Sequence, residues 1–235
     1  INGVVIRRAV IRHYFYPILI GQLSVDIVES GKTHTLDCKS ISHEIEKLDL
    51  DHKELGELRG LCSLAEHSFL LREDEHVESV LIGGSGEIPK WRHDMFSQEQ
   101  LEGLRGSFER GDRLALKIPI QFRELGEGKP AVRGIFKIYC ERDPGLETGM
   151  SHYVREGITV TDERSLLKYS GIRGLVIIDE GPLADLLGNA ENPAHTQWQE
   201  RSENFKDRYV NGPSILRFVK KSLPELMKIL SRPAG

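Results

Sequence analysis

Cysteine is scarce: the 235 residues hold only Cys38, Cys62 and Cys140. An odd count, wide spacing and no C-x-x-C pair speak against a disulfide framework and against a cysteine-based zinc site. The expected state is free thiols in a reducing, cytoplasmic setting. No apolar run approaches the roughly 18 residues of a membrane span, and no signal-peptide pattern stands at the start. Membrane contact is therefore not expected. Charge of one sign is not in excess either. Lys plus Arg is 32 and Asp plus Glu is 36, a net charge of -4. Nothing global advertises nucleic acid, although a balanced total leaves room for a local basic patch. Internal repeats and low-complexity segments are missing.

Catalytic motifs are missing too. A P-loop needs G-x-x-x-x-G-K-[ST] between a strand and a helix, so that backbone N–H groups cradle phosphate. Gly31-Lys32-Thr33 supplies its second half, but position 26 is Asp and the next residues read as a strand. Gly128-Lys129 is followed by Pro130, which removes the hydroxyl. Gly83-Gly84-Ser85-Gly86 lacks the Lys-Ser/Thr continuation and the spacing of a nucleophile elbow. Nine histidines are scattered without H-E-x-x-H.

What is present is patterned. Residues 5–20 carry Ile6, Val10, Tyr14 and Ile18 at helical spacing, with Pro17 expected to kink the last turn. Residues 23–29 alternate as a strand, SGKT turns, and THTLD returns as its hairpin partner. Residues 41–48 and 52–71 read as helices, the second with a stripe of Leu55, Leu58, Leu61, Cys62, Ala65 and Phe69. Residues 77–82 form a short strand. Ser97-x-x-Gln100 is a capping box opening a helix to about Arg110. Residues 114–141 are the clearest β signal, a long antiparallel hairpin. In it Leu116, Ile118, Ile120 and Phe122 face one way, as do Gly134, Phe136, Ile138 and Cys140. Pro119 points to an edge strand or a bulge. Residues 153–160 read as one more strand, and a helix is expected near 194–201. Ser222-Leu223-Pro224-Glu225 interrupts the final helical region. The expected class is α+β, mainly antiparallel sheet with helices packed to one side and two lobes possible: 1–92, and 93–235 with the hairpin and C-terminal helices.

Two local features are candidate sites. LVIIDEGPLADLLG, residues 175–188, runs from an apolar strand into Asp179-Glu180, which resembles a metal-holding strand end. A buried strand with acids beside a helix N-terminus explains it as well. Distant partners for a metal would be Glu141, Asp143 or Glu156. The second feature is basic. Arg217, Lys220, Lys221, Lys228 and Arg232, with Lys206 and Arg208 nearby, suit either a solvated helix face or contact with phosphates.

Two segments, AVIRHYFYPILIGQLSVDI (9–27) and GIRGLVIIDEGPLADLLGNAENPAHTQW (171–198), together resemble the region downstream of the nucleotide-binding domain in large bacterial GHKL-type ATP-binding proteins. That superfamily includes histidine kinases, gyrase B, MutL and MORC-like proteins. The resemblance implies ATP and Mg in an upstream domain of the same protein. It implies no cofactor within this chain, whose closest string, Asp179 to Leu183, departs from D-x-G-x-G at the second Gly. It further implies a transducer that lends one basic side chain to the γ-phosphate, with Arg155 and Lys32 as candidates, and a possible homodimer. The missing initiator Met fits a segment of a longer protein. The leading expectation is a non-catalytic transducer or interaction region. The alternatives are a nucleic-acid-contacting module using the C-terminal basic helices and a metal-dependent enzyme built on Asp179 and Glu180.

Overall fold

The computed structural model describes residues 3–83, 86–163, 165–167 and 169–231. Gly84, Ser85 and Arg232 lie outside them. The first third of the chain is α1 (Gly3–Leu19), a hairpin of β1 (Val25–Glu29) and β2 (Lys32–Leu36), α2 (Ile41–Glu46) and α3 (His52–Leu70). α1 breaks its helical geometry at Tyr14, three residues before Pro17, where the proline ring crowds the preceding turn. The buried stripe of α1 is Arg7, Ile11, Phe15 and Ile18. Ile6 and Tyr14, expected to face the core, are exposed. α1 carries two apolar stripes at similar spacing, and packing against α3 and the sheet selects the one bearing Phe15. On α3 Leu64 takes a core place instead of Phe69, which is 57% exposed.

β3 (Val77–Glu78) is shorter than residues 77–82 suggested, because Val80 donates its N–H to Met95 O rather than to the sheet. Then follow α4 (Gln98–Arg110), β4 (Leu114–Phe122), β5 (Val132–Arg142), β6 (Gly149–Arg155), β7 (Ile158–Thr159), β8 (Ser165–Leu167) and β9 (Ile172–Ile178). α5 (Pro182–Asn189), α6 (Gly212–Lys220) and α7 (Ser222–Ser231) complete the chain. Ser97 caps α4 with the reciprocal Gln100 bond that the sequence implied. The run 153–160 is not one strand. Glu156 and Gly157 both have positive φ, 48° and 81°, and this two-residue turn folds β7 back onto β6. No helix forms at 194–201 either. Asn192 Oδ1 accepts the N–H groups of Thr196 and Gln197, and a Glu191–Trp198 bridge closes the loop. A side chain that captures backbone donors in this way competes with helix.

The strand order is β3-β4-β5-β9-β6-β7, with β8 also on β6. β4, β5 and β9 are antiparallel neighbours, whereas β9 and β6 run parallel, as do β3 and β4. The class is α+β, but the sheet is mixed rather than mainly antiparallel. Nor are the helices on one side. Leu116, Ile118, Phe136, Ile138 and Val176 face a cluster with α4, α5, α6 and α7. Ala115, Tyr139, Val154, Leu175 and Ile177 face a second cluster with α1, α2 and α3. Lys117, Lys137 and Glu141 give the second face a polar alternation. Tyr139 lies among them yet is buried, its hydroxyl 2.9 Å from His76 Nε2. Burial on this face holds its phenol well above the usual tyrosine range. Among the described residues, no helix is long and apolar enough to cross a membrane.

Candidate functional site

Arg155 is the last residue of β6, and the β6–β7 turn follows it directly. Its side chain is buried, and its Nε donates to Glu191 Oε1 at 2.5 Å and its Nη2 to Glu191 Oε2 at 2.9 Å. Nη1 bonds the Glu156 carboxylate. Burial opposes the guanidinium charge, but Glu191 and Glu156 outweigh it and hold the pKa above its ordinary value.

Glu191 lies just beyond α5, with its side chain 2% exposed. Its carboxylate also accepts from Trp198 Nε1 at 3.3 Å and lies 2.7 Å from His195 Nδ1. The loop supplying these groups is built by Asn192, as described above, and by Gln199 N–H donating back to Ala190 O. Trp198 stands edge-on to Tyr153 at 5.5 Å, and its backbone N–H donates to Glu163. Glu163 in turn lies 2.9 Å from Lys220 Nζ on α6, while Tyr153 Oη donates to Lys220 O. Polar contacts thus run without a gap from the end of β6, through the 191–198 loop, to the end of α6.

Arg155 also lines an open cleft of about 660 Å³. Phe122, Val132 and Tyr209 give this cleft an apolar wall, and Lys129 and Arg208 add two cations. Glu124 lies between them, 2.9 Å from Lys129 Nζ and 3.1 Å from Arg208 Nε. These two hydrogen bonds hold its carboxyl below the usual glutamate range. Each cation of the cleft already has a carboxylate partner, so an anionic ligand entering here must exchange with Glu124 or Glu156.

The other sequence candidates lie apart. Lys32 starts β2 on the separate hairpin, opposite Glu29, and shares no hydrogen bond or ion pair with Arg155 among the described residues. Asp179 is exposed, with Lys137 Nζ at 3.6 Å, and Glu180 is exposed beside it. Glu141 and Asp143 instead hold Arg173, which is buried on β9 and also donates to Glu57 O at 2.6 Å. Among the described residues no three His, Cys, Asp or Glu side chains gather into a group that could hold a metal. The basic residues of α6 and α7 are largely engaged. Arg217 lies 3.5 Å from Glu200, Lys220 pairs with Glu163, and Lys228 pairs with Glu225 at 2.6 Å. Lys221 is exposed and lines a shallow groove with Arg217 and Lys90.

Glu163, Glu191 and His195 are not among the site residues that the sequence singles out. The only local trace was an acid followed by Asn-Pro and a tryptophan in an otherwise turn-rich segment. Compared with protein-family models, curated proteins and solved structures, the chain matches none of them.

Proposed function

We propose that this chain is a non-catalytic transducer and interaction region of a larger GHKL-type ATPase, relaying ATP-driven closure of an upstream domain to a partner. One observation supports this reading above the rest: the continuous, largely buried path Arg155–Glu191–Trp198–Glu163 that ends on the half-buried Lys220. A relay needs a stiff connection between two surfaces, and packed polar networks provide one. Arg155 at its head is one of three basic side chains lining the cleft, and the one that joins the path. By exchanging Glu156 for a phosphate oxygen it would report nucleotide state to α6. ATP and Mg would belong to the upstream domain. The test is calorimetry of this chain with ATP and magnesium, together with a hydrolysis assay. The expected result is neither binding nor turnover. Micromolar binding by the chain alone would overturn the reading.

Nucleic-acid contact is the second reading. Its support is narrower: Arg217 and Lys221 stand one helical turn apart and flank one groove with Lys90. It predicts binding that weakens steeply with salt and is abolished by Arg217→Glu with Lys221→Glu. Absence of binding at low salt removes it.

A further inference from the structure

A second cavity, of about 120 Å³, lies between α1, α3 and the β6–β7 edge. Arg8, Arg12 and Phe15 reach it from α1 at i, i+4 and i+7, one face of a helix. Glu54, Leu58 and Leu61 reach it from α3 at the same spacing. Met150 and His152 on β6 and Thr159 on β7 close it from the sheet. Exposure grades along its depth. Arg8 and Glu54 pair at 2.6 Å at the solvent side, whereas Phe15, Leu61 and Thr159 are buried.

Core packing alone leaves two features of this cavity unexplained. Thr159 Oγ1 is buried with no hydrogen-bond partner among the described residues, and buried hydroxyls are ordinarily satisfied. Arg12 forms no ion pair among the described residues. Arg8 and Glu54 pair with each other, and Glu57, which also lines the cavity, forms no ion pair with Arg12 among the described residues. The mouth therefore carries one guanidinium fork that no carboxylate holds at ion-pair distance, a shape suited to a carboxylate. The whole cavity, about 120 Å³, is somewhat smaller than the roughly 150 Å³ that holds benzene, so one ring is the most it takes.

We propose that this cavity binds a small, ring-sized organic acid with a polar tip. Its carboxylate sits on Arg12, its apolar body lies against Phe15, Leu58 and Leu61, and its tip hydroxyl meets Thr159. The inference is independent of the relay reading, because the cavity shares no lining residue with the Arg155 cleft.

The test is a calorimetric and NMR titration of the whole chain with 4-hydroxybenzoate, benzoate and benzylamine. 4-Hydroxybenzoate should bind best, benzoate more weakly, and benzylamine not at all. Arg12→Ala changes an exposed residue and should weaken both acids about ten-fold, the loss of one charge-assisted pair. Thr159→Val should bring 4-hydroxybenzoate down to the level of benzoate. Should that variant fail to fold, the comparison of the two acids on the unmodified chain still tests the hydroxyl. Absence of saturable shifts at millimolar acid would mean that water alone fills the cavity and would overturn the proposal. So would unchanged affinity in Arg12→Ala, or benzylamine binding as well as benzoate.

Discussion

The guanidinium of Arg155 and the carboxylate of Glu191 meet side-on across 36 residues of sequence, through two parallel N–H···O bonds of 2.5 and 2.9 Å. A two-point fit of this kind fixes orientation as well as charge. With Glu191 almost wholly shielded from solvent, the pair matters most when it is broken. Glu191→Gln or Arg155→Ala should each destabilise the fold by up to about 3–5 kcal/mol, because either removes the two-point partner of a buried charge and leaves only the contact to Glu156, or those to His195 and Trp198. Replacing both with apolar residues of similar volume should cost less than either single change. Urea unfolding of the three variants measures this, and a strictly additive double variant would show that the two side chains act independently.

Two glycines on α3 should respond oppositely to alanine. A methyl group at Gly56 meets nothing within 4 Å, so Gly56→Ala should stabilise by about 0.5–1 kcal/mol through helix propensity. A Cβ at Gly60 would fall 2.2 Å from Arg173 Nη2, and that guanidinium is tied to Glu141, Asp143 and Glu57 O. Gly60→Ala should therefore lose roughly 1–3 kcal/mol by overpacking. Thermal melts of the two variants give the two signs directly.

His67 on α3 has its pKa lowered, first by burial and then by the nearby Arg113. The unfolded chain therefore binds more protons than the folded one between the lowered folded value and about pH 6.5, the ordinary histidine value. Stability from this group is fully present above that pH and is lost as pH falls through the lowered folded value. His67→Gln should flatten the acid side of the stability profile and leave the neutral side unchanged. Denaturant midpoints on either side of pH 6.5 check it. An identical slope in both proteins would assign the loss to other groups.

Ser97→Ala removes the oxygen that accepts Gln100 N–H at 3.1 Å. It also breaks a reciprocal box in which Gln100 Oε1 accepts Ser97 N–H at 2.8 Å. The expected loss is about 1 kcal/mol. Deuterium exchange should show it first at the start of α4, and unaltered protection there would mean that the box adds nothing.

The β4–β5 hairpin could be read in advance because alternation and turn chemistry agree over its whole length. Ser97 and Gln100 were legible because capping is decided within one turn of chain. α1–α3 on the second face were not. Lys137 and Glu141 make that face of β5 look wet, and only tertiary packing shows that Tyr139 between them is covered. Similarly, residues 194–201 look helical until the Asn192 side chain is seen to take the donors a helix would use. Arg155 was noticed for its charge beside a turn. Its partner was beyond sequence reasoning, since nothing near Glu191 announces a strand end so far away in the chain. Glu163 and Lys220 are joined in the same non-local way.

The rims of the sheet limit how this protein can meet others. At one rim β3 contributes only two residues, and Pro119 in the neighbouring β4 has no N–H to offer. At the other rim β6 is shared between β7 at one end and β8 at the other. Among the described residues, neither rim of this larger sheet presents a long, flat row of unpaired donors and acceptors. An incoming chain would find little template for extending the sheet, so intermolecular strand addition and fibril-like stacking are disfavoured. What this sheet leaves to an incoming chain is side chains on the helices and the 191–198 loop, where contact depends on shape and charge and not on backbone pairing.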